Sequence, residues 1–268
     1  MIIGIPKEIK EDEYRVAIVP SGVRTLKDNG HLIIIEKGAG EGSRIEDREY
    51  EDAGAVVVNG PLEIYSRSDM VMKVKEPLPS EYPLFREGQI LYAYLHLSPA
   101  PGLTEALLKA KIIAVAYETI QTDEGFLPLL APMSEVAGKM SVQLGAHFLE
   151  KTQGGRGVLL GGAAGVGRGR VTVLGGGTVG LAAAKIAVGL GAEVYILDTD
   201  QRRLMHIEEL FGNRGATLIS NYDNVLNSVS NSHLVIGAVL IPGARAPKIV
   251  TREMIRQMKA GSVIVDVA

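Results

Sequence analysis

VTVLGGGTVGLAAAKIAVGLGAEVYILD, residues 171–198, reads as an apolar strand, a glycine turn, a helix and a second strand that ends on an acid. Gly175, Gly177 and Gly180 fit G-x-G-x-x-G, and Asp198 follows Gly180 by eighteen residues. The first glycine permits a tight turn, the second lets the backbone approach a pyrophosphate, and the third lets helix pack on strand. The helix start then offers unpaired N–H groups and the positive end of its dipole to that pyrophosphate. Asp198 can accept hydrogen bonds from both adenosine ribose hydroxyls and repels a 2′-phosphate, which favours NAD over NADP, although Arg202 and Arg203 stand close enough to temper the preference. The plainer alternative is a glycine turn in an α/β domain that binds no nucleotide.

Outward from this unit, strand and helix keep alternating: a helix near 200–211, ATLIS (216–220), LVIGAVL (234–240), a helix near 251–259 and SVIVDVA (262–268). That period is the one of βαβ units. The first half has short, continuous apolar runs, IIGIP (2–6), HLIIIE (31–36), AVVV (55–58), MVMKV (70–74), QILYAYL (89–95) and KIIAVAYE (111–118), between polar, helix-like segments. Continuous β-branched runs suit parallel strands buried on both faces. The expected fold is therefore α/β with two domains, 1–130 flavodoxin-like or Rossmann-like and 131–268 a Rossmann domain with a parallel sheet. Ser134 is placed to cap a connecting helix in which Val136, Met140, Leu144 and Phe148 recur every fourth residue. That apolar stripe serves either domain packing or a subunit interface. Between residues 154 and 169 eight of sixteen residues are glycine, without a third glycine at the required step or a Gly-Lys-Ser/Thr ending, so this segment reads as a flexible or interface loop.

The 268 residues include 32 glycines, about 12% against an average near 7%, and no cysteine. Absent cysteines exclude a disulfide framework and a thiolate metal site, and no metal is expected. A formal charge of −3 gives no electrostatic reason for a nucleic-acid or anionic-membrane partner. The longest apolar run, 234–244, is half the roughly 20 residues of a spanning helix, so neither membrane insertion nor export is expected and the cytoplasm is the default location.

Ligands of parallel α/β sheets sit at the carboxyl ends of the strands. Three polar residues close strands of the first half: Lys75 after MVMKV, His96 after QILYAYL, and Arg15, with Lys7 and Glu8 nearby, in the loop after the first strand. Each alone is as easily a solvated or structural group. Together they suit a substrate carrying a carboxylate, arginine clamping it and histidine moving protons.

At these residues the sequence resembles the L-alanine dehydrogenase family, relatives of the NAD-binding subunit of pyridine nucleotide transhydrogenase. The resemblance is carried by GIPKEIKEDEYRVAIVPSGV (4–23), VKEPLPSEY (74–82), LHL (95–97), YETIQT (117–122), LPLLAPMSEVAGKMSVQLGA (127–146), TQGGRGVLLGG (152–162) and HLVIGAVLIPGARAPKIV (233–250). It implies NAD-dependent, reversible oxidative deamination of L-alanine to pyruvate and ammonia. By motif, Arg15 and Lys75 hold the substrate, Lys75 stabilises charge on oxygen, and His96 is the general acid/base. Ser134, Thr178, Val179, Asp198, Arg203, Ser220, Val239, Leu240, Val267 and Ala268 fall at the family's NAD-contacting positions. The family pattern continues beyond VDVA into a segment whose aspartate is a further catalytic residue, two positions past Ala268, and into a portion that completes the first domain. The resemblance therefore implies a second domain incomplete at its C-terminus, and impaired turnover. It also implies self-association, in hexamers or dimers. Two alternatives stay open: the NAD(H)-binding subunit of a transhydrogenase, against which the retention of Arg15, Lys75 and His96 speaks, and a non-catalytic NAD-binding module.

Overall fold

The computed structural model describes residues 1–239 and 248–267, and the chain divides into two compact units, Met1–Leu127 and Pro128–Ala268. Unit 1 runs β1 (Ile2–Ile5), α1 (Pro20–Asp28), β2 (Leu32–Glu36), α2 (Asp47–Ala53), β3 (Val56–Val58), α3 (Pro61–Arg67), β4 (Met70–Met72), β5 (Ile90–Ala93), α4 (Pro101–Ala110) and β6 (Ile113–Ala116). A proline opens α1, α3 and α4, where its missing N–H would have no helical partner anyway. The sheet order is β3-β2-β1-β4-β5-β6, and its pairings are parallel. Of the two orders left open by the sequence, this is the Rossmann one. Both faces of the sheet are covered, which explains the unbroken apolar runs. On β2, Ile33 and Ile35 pack with Ile3, Ile5, Val23 and Tyr50, while Ile34 between them joins Val71, Leu91 and Leu103 on the other face.

Unit 2 runs α5 (Ala131–Phe148), β7 (Arg170–Leu174), α6 (Thr178–Gly189), β8 (Glu193–Asp198), α7 (Gln201–Phe211), β9 (Ala216–Ile219), α8 (Tyr222–Asn231), β10 (Leu234–Gly237), α9 (Arg252–Gln257) and β11 (Val263–Asp266). Its sheet, ordered β11-β10-β7-β8-β9, is also parallel. Val171, Val173, Ile196 and Ile236 face α6 and α5 residues on one side, and Leu174, Leu197 and Val235 face Val225, Val229 and Met254 on the other. α8 was not expected from the sequence. Asn221 caps it by accepting the Asn224 N–H at 2.8 Å.

The cap expected of α5 changes, and its apolar stripe is placed. The helix begins at Ala131, before Ser134, because Pro132 in the first turn is already preorganised for it. Ser134 therefore lies inside the helix, its N–H donating to the Leu130 carbonyl at 3.0 Å, and does not cap it. The buried face is the small-residue one, Gly138, Ser141, Val142 and Gly145, while Val136, Met140, Leu144 and Phe148 are 44–49% exposed. Close approach explains the choice: a Cβ at Gly138 would lie 2.2 Å from the Val179 carbonyl oxygen of α6. The glycine-rich segment shows similar packing. A Cβ at Gly155 would lie 2.3 Å from the Phe148 oxygen, and one at Gly161 would lie 2.5 Å from the Leu190 oxygen. Of the flexible or interface loop expected there, close backbone contact at those positions speaks against the flexible reading. Among the described residues, no helix is long and apolar enough to cross a membrane.

Candidate functional site

In unit 2 the strand order reverses between β7 and β10, and the glycine turn occupies the carboxyl end of β7 at that switch point. Gly175 has φ +99°, a conformation glycine adopts without strain. A Cβ at Gly180 would lie 1.8 Å from the Gly175 oxygen, so the third glycine lets α6 seat on the turn. At Gly177 a Cβ would meet nothing within 4 Å, and Gly177 caps α6 without a side-chain hydrogen bond. The turn thus leaves room beside an uncapped helix start, the shape and polarity that a pyrophosphate fits.

Asp198, 6% exposed at the end of β8, closes the other side. Its Oδ2 accepts the Gly176 N–H at 2.7 Å and an Arg203 N–H at 2.9 Å, and its Oδ1 accepts the Asp200 N–H at 2.9 Å. Burial opposes its charge, but those donors together with the charge of Arg203 hold the carboxyl below its ordinary range. Asp198 is therefore a fixed anion tied to the glycine turn. The Ser220 N–H donates to the Asp198 carbonyl at 2.9 Å, which brings Ser220 to the same rim. Val239 reaches within 2.9 Å of where a Gly175 Cβ would be. Thr178 and Val179 form the first turn of α6. Ser134 lies one turn before Gly138, on the face of α5 that meets Val179. Val267 packs against the core beneath, its N–H donating to the Gly237 carbonyl at 2.8 Å. Leu240 and Ala268 lie outside the described residues.

In unit 1 the order reverses between β1 and β4, so the loops after these two strands share one crevice. β4 ends at Met72, and Lys75 stands three residues beyond it rather than on the strand. The loop that bears it is fastened at both ends. Glu8 accepts the Val74 N–H at 2.6 Å, and Glu81 accepts the Leu78 N–H at 2.8 Å. Lys73, 1% exposed, joins the two carboxylates, with Nζ 2.8 Å from Glu81 Oε1 and 3.4 Å from Glu8 Oε2. The Tyr65 hydroxyl also donates to Glu81, at 2.8 Å. Burial pushes the Glu8 carboxyl up, and Lys73 offsets only part of that.

Arg15 is held by Glu13, whose Oε1 accepts the Arg15 Nε–H at 2.8 Å and whose Oε2 takes Nη2 at 2.5 Å. That bond, with the charge of Lys75 nearby, outweighs burial and keeps the Glu13 carboxyl below its ordinary range. Tyr94 and Glu8 lie within electrostatic reach of the guanidinium. Lys10 pairs with Glu76, and His96 is near enough to bias the same carboxylate toward its charged form. His96 follows β5 by three residues, exposed, with φ 45°. Glu118 accepts the His96 N–H at 2.7 Å and the Leu95 N–H at 3.1 Å, and the Tyr94 ring stacks on the imidazole at 6.1 Å. Lys7, by contrast, pairs with exposed Glu41 at 2.9 Å.

Arg15, Lys75 and His96 are thus gathered with Glu8, Glu13, Lys73, Glu76, Tyr94 and Glu118 around the carboxyl ends of β1, β4, β5 and β6. The sequence reading missed the buried Lys73 and the carboxylates Glu13 and Glu118. A charge inside the apolar run MVMKV, and an acid just after KIIAVAY, were the available signals.

Two family descriptions match, "Alanine dehydrogenase/PNT, N-terminal domain" over residues 4–137 and "Alanine dehydrogenase/PNT, C-terminal domain" over residues 141–268. An alanine dehydrogenase of Methanococcus maripaludis is 56% identical over 268 residues, all of this chain and 72% of that protein. One of Bilophila wadsworthia is 57% identical over the same 268 residues, 71% of its length. Among solved structures, an L-alanine dehydrogenase superposes with a TM-score of 0.93 at 53% identity, covering 100% of this chain and 74% of that one. A transhydrogenase from Sinorhizobium meliloti superposes with 0.82 at 30% identity, covering 98% of this chain and 77% of that one.

Proposed function

The chain belongs to the alanine dehydrogenase/PNT family, and from that premise we propose that it catalyses the NAD-dependent, reversible oxidative deamination of L-alanine to pyruvate and ammonia. The observation that carries the reading is the crevice of unit 1, where a cation fixed by Glu13, a lysine on a doubly fastened loop and a histidine come from different strand ends.

Each residue has a role its surroundings favour. Arg15, aligned by Glu13, takes the substrate carboxylate through its fork of N–H donors. Lys75, held by the Val74 and Leu78 anchors on either side, stabilises negative charge developing on the substrate oxygen as water adds and ammonia leaves. His96 moves the protons of those two steps, a task that suits an imidazole because both its forms exist near neutral pH. In unit 2 the Gly175–Gly180 turn and the start of α6 would hold the pyrophosphate of NAD. Asp198 would face the adenosine ribose, with Arg203, Ser220, Val239, Ser134, Thr178, Val179 and Val267, and with Leu240 and Ala268 from the sequence, as further contacts. NAD, when bound, supplies the acceptor for the hydride that leaves the alanine Cα. Asp198 meets a ribose as an anion already fixed by three donors, which supports NAD over NADP. Unit 1 is accordingly the substrate domain and unit 2 the NAD domain. Cytoplasmic location and self-association into dimers or hexamers belong to the same proposal and rest on the resemblance.

L-alanine-dependent NADH formation, followed alongside calorimetric binding of NAD, tests the reading. NAD binding without L-alanine-dependent reduction would overturn it in favour of the non-catalytic module, and absence of both would overturn it outright. Substituting His96→Ala is expected to lower turnover by about 10²–10⁴-fold, the usual contribution of a general acid/base, with NAD affinity within about threefold of the parent.

A further inference from the structure

We infer that Glu118 is a positioning residue whose carboxylate fixes the backbone, and through it the imidazole, of His96. The inference rests on His96 being the acid/base of the proposed reaction. Among the described residues four besides glycine have positive φ: Asp12, Arg44, His96 and Lys111. Arg44 and Lys111 end helical turns, where the left-handed conformation is ordinary. His96 ends nothing. It sits three residues past β5 at φ 45°, a conformation a side chain with a Cβ adopts only when its surroundings impose it.

The peptide that enters this residue is held by one anion from the turn after the neighbouring strand. β5 pairs with β6 in the register Ala93↔Ala116, so the segments that follow the two strands, with Leu95 on one and Glu118 on the other, start side by side. Glu118 lies in the helical turn Tyr117–Thr119 that follows β6. Its Oε1 accepts both the Leu95 N–H, at 3.1 Å, and the His96 N–H, at 2.7 Å. Two successive N–H groups converge on a single carboxylate through the torsions of Leu95, so Glu118 fixes the peptide plane that enters His96. The same turn also steadies the ring. Tyr117 packs edge-on against Tyr94 at 4.9 Å, and Tyr94 stacks on His96 at 6.1 Å with an interplanar angle of 16°. Backbone and imidazole are therefore both set from residues 117 and 118. Glu118 touches no atom of the imidazole in any of these contacts, so its effect on proton transfer runs through His96.

The test follows the histidine Cε1–H resonances of the chain in saturating NADH while pyruvate is added, in the parent and in Glu118→Gln, Glu118→Ala and His96→Ala; the His96→Ala spectrum assigns the signal. Parent His96 is expected to shift on pyruvate binding. Glu118→Gln keeps an acceptor oxygen and is expected to retain the response within about twofold, which also shows that the site still folds. Glu118→Ala is expected to lose at least nine-tenths of the His96 response while the Arg15 side-chain N–H signals still saturate with pyruvate. In turnover the matching result is a kcat about 10²-fold lower with KM for pyruvate within threefold, the signature of a misplaced catalytic group. A His96 response and kcat in Glu118→Ala equal to the parent's would overturn the inference and leave the site reading intact. A parent His96 that ignores pyruvate would remove the site reading, and the inference with it.

Discussion

Lys73 shows how much a single residue can organise. It is buried between two carboxylates that hold opposite ends of the Lys75 loop, so Lys73→Met leaves Glu8 and Glu81 without their shared cation. Removing one partner from a buried ion pair costs about 3–5 kcal/mol, a loss that urea denaturation at neutral pH is expected to read. The pH dependence has a definite sign. Burial already raises the Glu8 carboxyl in the folded state, so its contribution to stability is fullest below the unfolded pKa and is lost as pH rises through the folded one. Without Lys73 the raising is larger, and the deficit of Lys73→Met is expected to shrink as pH falls toward the carboxylate range. Asp198 has the opposite sign. Its carboxyl is held low, so its contribution is present above the unfolded pKa and disappears as pH falls through the folded one. Asp198→Asn is expected to flatten the acid limb of the stability curve below about pH 4. Asp198 was legible in the sequence because the dinucleotide turn fixes its spacing. Lys73 and Glu118 were not, because their meaning depends on partners brought near only by the parallel strand order: Glu8 for the first, and the backbone of Leu95 and His96 for the second.

At the scale of elements, the glycine turn and the caps make sharp demands. Gly180→Ala sets a methyl against the Gly175 carbonyl, backbone that cannot rotate away, and is expected to cost roughly 3 kcal/mol, with NAD affinity falling as the start of α6 shifts. Thermal melts and calorimetry of the variant check both. Asp200 caps α7 by accepting the Arg202 and Arg203 N–H groups. Asp200→Ala is expected to lower stability by about 1 kcal/mol, and to loosen Arg203 beside Asp198. Most strands were readable as unbroken apolar runs, since a strand covered on both faces has no polar side to mark it. The helices were less so. α5 carries a Ser134 signal and a Pro132 signal two residues apart, and proline geometry won. Its apolar stripe stays exposed, while Gly138 lets it approach α6 and Gly145 lies against Leu234 of β10, because the closeness of an element to its neighbour leaves only small residues as its trace.

Over the whole chain, two Rossmann-ordered sheets recur, each with the loops proposed as functional where the strand order reverses. The repeated β-α period made that architecture legible, and the roles assigned to the two units follow the same logic. What the period does not reveal is which loops meet, since that is set by pairing between strands far apart in sequence. Ile3 pairs with Met70 in unit 1, and Val171 pairs with Leu234 in unit 2. Each crevice is flanked by that pair, and each pair closes across three strand–helix–strand connections. Such long-range closures are slow to form in folding, because loop entropy is lost before contact energy is gained. In refolding from urea, helical ellipticity is therefore expected to return well before NAD binding does. Coincident recovery of the two signals would contradict that order. The location proposed for ligand capture is thus expected to make each crevice a late product of folding, with no early intermediate for a ligand to select during refolding.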